Sequence, residues 1–250
     1  MNKNINLPKI KIENLKSYRL GKLQQKPDSF WIDTYIYWML DCCKNINIAD
    51  VKKALFIEKQ ENPKNKQLEK VSKQQIRKYF KGNARFNAHG HKLSRETDSE
   101  SKVKGKSGEY DLVFSHSGWI DKYFPFECKC LDETNAKINE YIFNQGKEDG
   151  GVYRYVISKY GDGDFSEQLN YCGMIGFILS GNETDIIDYI CTQLEKFELL
   201  PDETGKLLAP IKRNAIENNP NTFESIHIRR NAANKITAPI SLLHIIMDFN

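Results

Sequence analysis

Apolar residues recur at intervals of three and four in the first third of the chain, which is the spacing of a helix. A helix-start signal at residues 27–29 precedes the apolar series 31–43. Two further amphipathic stretches follow at residues 50–60 and 68–80, and the second ends near Gly82. The pattern predicts three helices, and the first of them belongs to the core.

Shorter segments with strand character dominate the rest of the chain. The predicted strands cover residues 109–116, 119–131, 152–159, 173–179, 223–229 and 240–249, with a short strand or helix end near residues 92–97. A tight turn at residues 117–118 joins the first two strands into a hairpin. Helices are predicted over residues 134–145 and, after a cap at Thr184 or Asp185, through Phe197.

This order of elements predicts a mixed α/β or α+β fold in which helices flank a central mixed β-sheet. Residues 1–83 are predicted to form a mostly helical N-terminal region that packs on an α/β core of residues 84–250, with a single domain overall as the alternative. A chain of 250 residues with 40% hydrophobic and 28% charged residues is long enough to bury such a core.

The composition predicts a protein without a membrane span. The mean hydropathy is −0.61, and the longest nearly apolar stretch is the short run at residues 240–249. Residues 1–13 alternate polar and isolated apolar residues, so they lack the apolar centre of a signal peptide. We therefore expect a cytoplasmic protein with no membrane partner.

The cysteines carry no metal or disulfide signature. Six are present and none forms a C-x-x-C pair, which disfavours a zinc ribbon. In a chain of this length they do not form a disulfide framework. They are interpreted as reduced, small hydrophobic residues, and the alternative is a metal site built from Cys128 and Cys130.

Positive charge is concentrated in one segment. Residues 51–106 hold 16 Lys and Arg against 6 Asp and Glu, although the whole chain has a net charge of only +4. Such a segment can neutralise phosphates and attract nucleic acid, and a solvated helical face is the alternative. Its candidate nucleic-acid-binding residues are Lys102, Lys104 and Lys106.

The second strand of the predicted hairpin alternates an apolar face with a charged face. The apolar face holds Phe124, Phe126, Cys128 and Cys130. Glu127 and Lys129 share the opposite face, and Asp111 is available on the neighbouring strand. On that strand the alternation predicts that Asp111 and Val113 share one face, with Tyr110, Leu112 and Phe114 on the other.

Paired acids beside a lysine have a recognisable chemistry. Two close carboxylates repel each other unless a cation lies between them. Hard oxygen ligands of this type suit Mg²⁺ or Mn²⁺, and a metal ion there can activate water and stabilise charge on a phosphate. A nearby ammonium can orient or deprotonate the attacking water, or stabilise the developing charge. Asp111, Glu127 and Lys129 are therefore the candidate catalytic residues.

The arrangement of Asp111, fifteen intervening residues and then Glu127-Cys128-Lys129 resembles the PD-(D/E)xK nuclease superfamily, which includes many restriction endonucleases. The resemblance is strong over the hairpin and extends loosely to the helices on either side. It implies a restriction-endonuclease-like fold and Mg²⁺-dependent hydrolysis of phosphodiester bonds. It also implies that Asp111 and Glu127 bind the metal ion and that the backbone carbonyl of Cys128 completes the metal site. Lys129 matches the catalytic lysine of the family.

Two features depart from the family pattern. Tyr110 occupies the position of the proline that precedes the aspartate in the family motif. The family often has an upstream acid as well, for which Glu96 is preferred as a metal ligand, with Glu100 and Glu109 as alternatives. A second E-x-K sequence at residues 100–102 lies in a polar loop and lacks a strand with an apolar back.

The histidines give weaker signals. His89 and His91 are more typical of polar loop residues than of metal ligands. His227 and Arg229 share one face of a predicted strand, where they contact a phosphate backbone or face solvent. His244 lies in an apolar run and is interpreted as a satisfied core histidine.

The sequence thus predicts a metal-dependent nuclease acting on DNA, with RNA retained as an alternative substrate and Mg²⁺ or Mn²⁺ as the cofactor. The resemblance implies a microbial restriction, phage-defence or repair setting, with a helicase or other ATPase as a candidate partner and a homodimer as a candidate assembly. Two alternatives stay open, because a fold does not fix a function. One is a non-catalytic nucleic-acid-binding module, and the other is an interaction subunit of a larger defence complex.

Overall fold

The computed structural model describes residues 26–64, 67–94, 97–98, 109–120, 122–144, 146–147, 149–157, 170–231 and 234–250. Of Thr97, Asp98 and Glu109 it describes the backbone. No helix within these ranges is both long enough and apolar enough to cross a membrane.

A mixed sheet occupies the centre of the fold. The strands are β1 (His91–Ser94), β2 (Thr97–Asp98), β3 (Glu109–Tyr110), β4 (Leu112–His116), β5 (Phe124–Leu131), β6 (Tyr171–Ile178), β7 (Lys212–Arg213), β8 (Thr222–His227) and β9 (Ile240–Asp248). In the described part of the chain, seven of them form one sheet in the order β1-β4-β5-β6-β9-β8-β7. Neighbours from β5 through β6 to β9 are parallel, the other neighbours are antiparallel, and β2 pairs with β3 separately.

Helices cover both faces of this sheet. They are α1 (Asp28–Asn45), α2 (Ile48–Glu61), α3 (Leu68–Gly82), α4 (Ala84–Ala88), α5 (Asn135–Tyr141), α6 (Gly151–Val156) and α7 (Glu183–Lys196). Side chains of α1–α4 share one hydrophobic cluster with one face of the sheet, and those of α5–α7 share a second cluster with the opposite face. The predicted mixed α/β fold with a flanked sheet is confirmed, while the division at residue 83 stays a prediction.

Asparagine side chains set the starts of three helices. Asn47 caps α2, Asn83 caps α4 and Asn182 caps α7, each by accepting a hydrogen bond from a backbone N–H of the first turn. The predicted cap of the last helix, Thr184 or Asp185, is therefore wrong. Those residues lie inside the first turn, where Asp185 donates its backbone N–H to Asn182.

The connection in the hairpin is longer than the predicted two-residue turn. β5 begins at Phe124 rather than at Trp119, so residues 117–123 separate it from β4. Trp119 is buried, and its indole Nε1 donates to Oδ1 of Asp28 at 2.9 Å. Lys122 pairs with Oδ2 of Asp28 at 2.7 Å. These contacts fasten the connection to the start of α1, so its aromatic residue serves tertiary packing rather than the strand.

The helix α6 occupies most of the segment predicted as a strand at residues 152–159, and that prediction is wrong. Val152, Tyr155 and Val156 are buried, and their spacing of three and four also satisfies a helical period. Gly150 precedes the helix with a φ of 134°, a conformation that favours glycine. The β-branched and aromatic composition of the segment favoured a strand, but its burial pattern belongs to a helix.

Two buried histidines lie in one hydrogen-bonded row on the side of the sheet covered by α5–α7. His244 Nδ1 is 2.8 Å from the hydroxyl of Tyr141, and His244 Nε2 is 2.7 Å from the hydroxyl of Ser225. The same Ser225 hydroxyl lies 2.8 Å from His227 Nε2, and His227 Nδ1 is 2.6 Å from the carbonyl oxygen of Gly205. His244 is therefore a satisfied core histidine, as predicted.

The predicted surface role of His227 and Arg229 is wrong. Both side chains are buried, with exposed fractions of 0% and 4%, so they form neither a solvated strand face nor an open phosphate contact. His89 is exposed, whereas His91 is half-buried against the rings of Tyr35 and Phe86. The structure thus places His91 among aromatic rings rather than in a polar loop.

The buried histidines predict a loss of stability in acid. Burial lowers the pKa of His227 to about 4, although its hydrogen bond to Gly205 acts in the opposite direction. Burial lowers the pKa of His244 well below its usual value, and the nearby His227 lowers that pKa further. The unfolded chain therefore binds protons before the folded chain does. The free energy of unfolding falls as the pH drops below about 6.5.

Urea denaturation between about pH 7 and about pH 5 measures this loss, which approaches about 1.4 kcal/mol per pH unit for each histidine. In His244→Gln the dependence on pH should weaken by that amount, because glutamine does not titrate. The control Lys78→Met, at an exposed position on α3, should keep the wild-type dependence. An unchanged dependence in His244→Gln would show that this histidine is not held neutral by burial.

Candidate active site

Asp111 occupies a break in the first strand of the hairpin, between β3 and β4. Its Oδ2 accepts a hydrogen bond of 2.7 Å from the backbone N–H of Cys128 in β5. Its carbonyl oxygen accepts a hydrogen bond of 2.8 Å from the Nη2 of Arg77 in α3. The break in the strand is thus fixed from both sides, and it directs the carboxylate of Asp111 toward β5.

The break also interrupts the alternation predicted for this strand. Val113 and Tyr110 belong to the hydrophobic cluster under α5–α7, whereas Leu112 and Phe114 belong to the cluster under α1–α4. The prediction that Tyr110 shares a face with Leu112 is therefore wrong. The pairing of Leu112 with Phe126 sets Asp111 next to Glu127 in the ladder.

Glu127 and Lys129 lie on one face of β5, opposite the apolar residues, as the alternation predicts. Phe124, Phe126, Cys128 and Cys130 all belong to the cluster under α1–α4. The carboxylate of Glu127 is completely buried, and its Oε1 contacts Lys129 Nζ at 2.8 Å. The same oxygen accepts a hydrogen bond of 2.7 Å from Nη1 of Arg154 in α6.

The helix α3 contributes one acidic and one basic side chain, Glu69 and Lys73, from the same face. Lys73 Nζ forms a short ion pair with Oδ1 of Asp111 and lies 3.4 Å from Oε1 of Glu69. Glu69 Oε2 in turn lies 3.7 Å from Lys129 Nζ. Opposite charges therefore alternate through one group, which we name the charged cluster: Arg154, Glu127, Lys129, Glu69, Lys73 and Asp111.

The electrostatics of the charged cluster follow from burial and pairing. Burial raises the pKa of Glu127, and Asp111 raises it further, while Lys129 and Arg154 act to lower it. Burial alone would lower the pKa of Lys129, but the carboxylates around it, above all Glu127, raise that pKa. The pKa of Lys73 is raised against the effect of burial in the same way, chiefly by Asp111. Both lysines are therefore ammonium ions at neutral pH.

The three principal predicted site residues, Asp111, Glu127 and Lys129, come together in this structure. Other predicted residues lie outside the described ranges: Glu96, Glu100, Lys102, Lys104 and Lys106. For Glu109 the backbone lies in β3 and its side chain is outside the description. The place expected for an upstream acid beside the hairpin is taken by Glu69 among the described residues.

Glu69, Lys73 and Arg154 are residues that sequence reasoning missed. A signal for Lys73 was available, because it lies on the buried face of α3 together with Ser72, Ile76 and Phe80. A lysine in that position needs a buried partner. The predicted strand at residues 152–159 gives no reason to place Arg154 at the site. It is the helix α6 that directs the guanidinium of Arg154 at Glu127.

The thiols of Cys128 and Cys130 lie in the hydrophobic cluster under α1–α4. All six cysteines are free, and burial raises the pKa of Cys128 and of Cys130. Both side chains face the cluster under α1–α4, away from Glu127 and Lys129. The interpretation of the cysteines as reduced, small hydrophobic residues is confirmed, and the alternative of a metal site on Cys128 and Cys130 is not supported by their orientation.

The charged cluster can be reached from solvent at its edge. The side chain of Glu69 is 32% exposed and that of Arg154 is 24% exposed, whereas Glu127 is fully enclosed. Within the described ranges no three His, Cys, Asp or Glu side chains stand in a ready-made metal-binding group. The carboxylates instead contact ammonium and guanidinium groups. Lys129 is 13% exposed and is paired with both Glu127 and Glu69.

Comparisons with known proteins add no assignment to this geometry. No family model, no curated protein and no solved structure matches the chain. The charged cluster, its position at the hairpin and the distribution of charge around it are therefore the observations from which a function is inferred.

Proposed function

We propose that the protein is a metal-dependent nuclease that hydrolyses phosphodiester bonds in DNA. The observation that carries the proposal is the convergence of Asp111, Glu127 and Lys129 in one buried cluster, where the residue before β4 meets the middle of β5. We assign a restriction-endonuclease-like core to α3, the antiparallel strands β1, β4 and β5, the helices α5 and α6, and the parallel strand β6. This assignment places the acids and the lysine of the sequence pattern on one side of the hairpin.

Carboxylate and carbonyl oxygens are the ligands that Mg²⁺ and Mn²⁺ prefer. In the proposal Asp111 and Glu127 would hold the ion through carboxylate oxygens and Cys128 through its backbone carbonyl, while Glu69 lies at the edge of the cluster. The acids already converge on cationic nitrogen atoms, so the site accommodates positive charge. A bound divalent ion supplies activation of water and neutralises charge on the phosphate.

The residues of the chain have separate roles in this proposal. Lys129, held as an ammonium by Glu127 and Glu69, donates hydrogen bonds to the attacking water or to a phosphate oxygen. Arg154 fixes Glu127 from the side of α6. Lys73 forms an ion pair with Oδ1 of Asp111, so its ammonium would compete with a metal ion for that oxygen.

Surface charge supports a nucleic-acid substrate. The described part of the basic segment exposes cations on α2 and α3 and on the residues after them: Lys52, Lys53, Lys59, Lys64, Lys70, Lys78, Lys81, Arg85 and Lys92. Such a surface attracts phosphates over long range. We propose a restriction, phage-defence or repair setting from the family resemblance. A helicase or other ATPase partner, a homodimer and RNA as a substrate are further proposals, and a cytoplasmic location is proposed from the hydropathy of the sequence.

One observation favours a second candidate, a non-catalytic nucleic-acid-binding module. The carboxylates of the charged cluster are already neutralised by lysine and arginine side chains. A buried, charge-balanced cluster is able to serve structure alone. Such a protein would bind nucleic acid with a strong dependence on salt and would leave the strands intact.

Purified protein and Lys129→Ala decide between the two candidates. Each is incubated with supercoiled plasmid, single-stranded DNA and RNA in Mg²⁺, Mn²⁺ or EDTA. Cleavage by the wild type should require the metal ion, and Lys129→Ala should lose about 10²-fold or more of the rate, because the ammonium no longer assists at the reacting phosphate. Lys206→Ala is the matched control, since Lys206 forms an exposed ion pair with Glu203 far along the chain.

Two results would count against the nuclease. Equal cleavage by wild type and Lys129→Ala would show that the charged cluster does not carry the activity. Absence of cleavage with either metal ion, together with salt-dependent binding of nucleic acid, would favour the non-catalytic module.

Lys73→Met tests whether the cluster is held by charge pairing and accepts a metal ion. Removal of the ammonium leaves Asp111 buried without this partner, so the free energy of unfolding should fall by about 3 kcal/mol in metal-free buffer. Mn²⁺ should raise the melting temperature of Lys73→Met more than that of the wild type, because the competing cation is gone. Lys78→Met, an exposed position on the same helix, is the control. Equal Mn²⁺ shifts in wild type and Lys73→Met would contradict the proposed competition.

A further inference from the structure

A groove runs along the carboxyl ends of the parallel strands β5, β6 and β9. It consists of two adjoining cavities of about 580 Å³ and about 230 Å³. Lys59 and Leu179 line both cavities, so the two lie side by side. Asp132, Leu179 and Phe249, which line the groove, each follow the last residue of β5, β6 and β9 respectively. In open α/β sheets this edge is where ligands bind.

One face of α2 forms the opposite wall of the groove. Lys52, Leu55, Phe56 and Lys59 line it, and their spacing of three, four and seven residues places them on a single helical stripe. Leu55 is buried, whereas Phe56 is 63% exposed, which is unusual for a large apolar side chain. The stripe therefore sets an exposed aromatic ring between two lysines.

The groove leads to the charged cluster. Glu69 and Leu68 of α3 line the larger cavity, and Glu69 Oε2 lies 3.7 Å from Lys129 Nζ. Of the charged side chains, Lys52 and Lys59 line the smaller cavity, while Lys59, Lys137, Glu69 and Asp132 line the larger one. An anionic chain that passes over α2 would therefore meet Lys52 and Lys59 before Glu69, which contacts Lys129 of the charged cluster.

We propose that this groove binds a single strand of nucleic acid and guides it to the charged cluster. The proposal rests on the proposed nuclease function and adds its substrate class. Lysine ammonium groups pair with backbone phosphates, and an exposed aromatic ring stacks on a base whose face is uncovered. In a duplex the faces of the bases are occupied by their neighbours. The ring of Phe56 between Lys52 and Lys59 fits an unpaired strand.

The test measures affinity for a fluorescein-labelled single-stranded oligonucleotide by anisotropy, with the full chain and in EDTA so that no cleavage occurs. Phe56→Ala should weaken binding about fivefold or more, and the dependence of affinity on salt should stay as in the wild type. Lys59→Ala should weaken binding and lower the slope of log K against log salt by about 0.7, the loss of one phosphate contact. The two variants are thus expected to differ in salt dependence.

Two variants outside the groove are the matched controls. Ile57→Ala on the same helix and Lys206→Ala remove an exposed apolar side chain and an exposed lysine that do not line the groove. Both should bind the oligonucleotide like the wild type. A duplex of the same sequence should lose affinity in Lys59→Ala but not in Phe56→Ala, and a single-stranded RNA arm identifies the preferred nucleic acid.

The outcomes separate this proposal from the nuclease. Wild-type affinity in both Phe56→Ala and Lys59→Ala would contradict binding of the strand in the groove, even if the protein cleaves DNA. Reduced affinity in both groove variants, with no cleavage by the wild type, would support the groove as a binding site and contradict the proposed nuclease activity. An equal effect of Phe56→Ala on duplex and single strand would overturn the assignment of an unpaired strand.

Discussion

The buried charges of Asp111, before β4, and of Glu127, in the middle of β5, constrain the surrounding fold. A carboxylate as enclosed as Glu127 is costly unless opposite charge and hydrogen bonds surround it. Lys129 supplies one partner from the same strand, but Arg154 comes from α6, which lies in the connection between β5 and β6. Asp111 needs Lys73 from α3 in the same way. The contacts of the charged cluster therefore tie two helices from different parts of the chain to one hairpin.

The alternation of β5 could be deduced from sequence because a strand has a fixed period of two. That period separates Phe126 and Cys128 from Glu127 and Lys129 whatever else packs nearby, and the structure agrees. The partners from α3 and α6 could not be deduced in this way. Their proximity depends on tertiary packing. In α6, moreover, the buried residues satisfy a helical period that the composition of the segment obscured.

The charge balance of the cluster gives its proposed chemistry a particular form. Each lysine ammonium lies between two carboxylates, so the carboxylates are paired and already surround positive charge. Glu69 connects this interior to solvent and to the groove beneath α2. Basic and aromatic residues on α2 then extend the same surface outward. In the proposed function, the groove would give an extended anionic chain a path to the enclosed cluster.

We propose that the carboxylates of the charged cluster form a site for a divalent metal ion. Equilibrium Mn²⁺ binding, followed by the loss of the free-ion electron paramagnetic resonance signal, measures it directly in the wild type and in Asp111→Asn. The account predicts saturable binding that Asp111→Asn abolishes or weakens strongly, because the variant removes one of the anionic ligands. Saturable binding of equal affinity in both proteins, or none in the wild type, would contradict it.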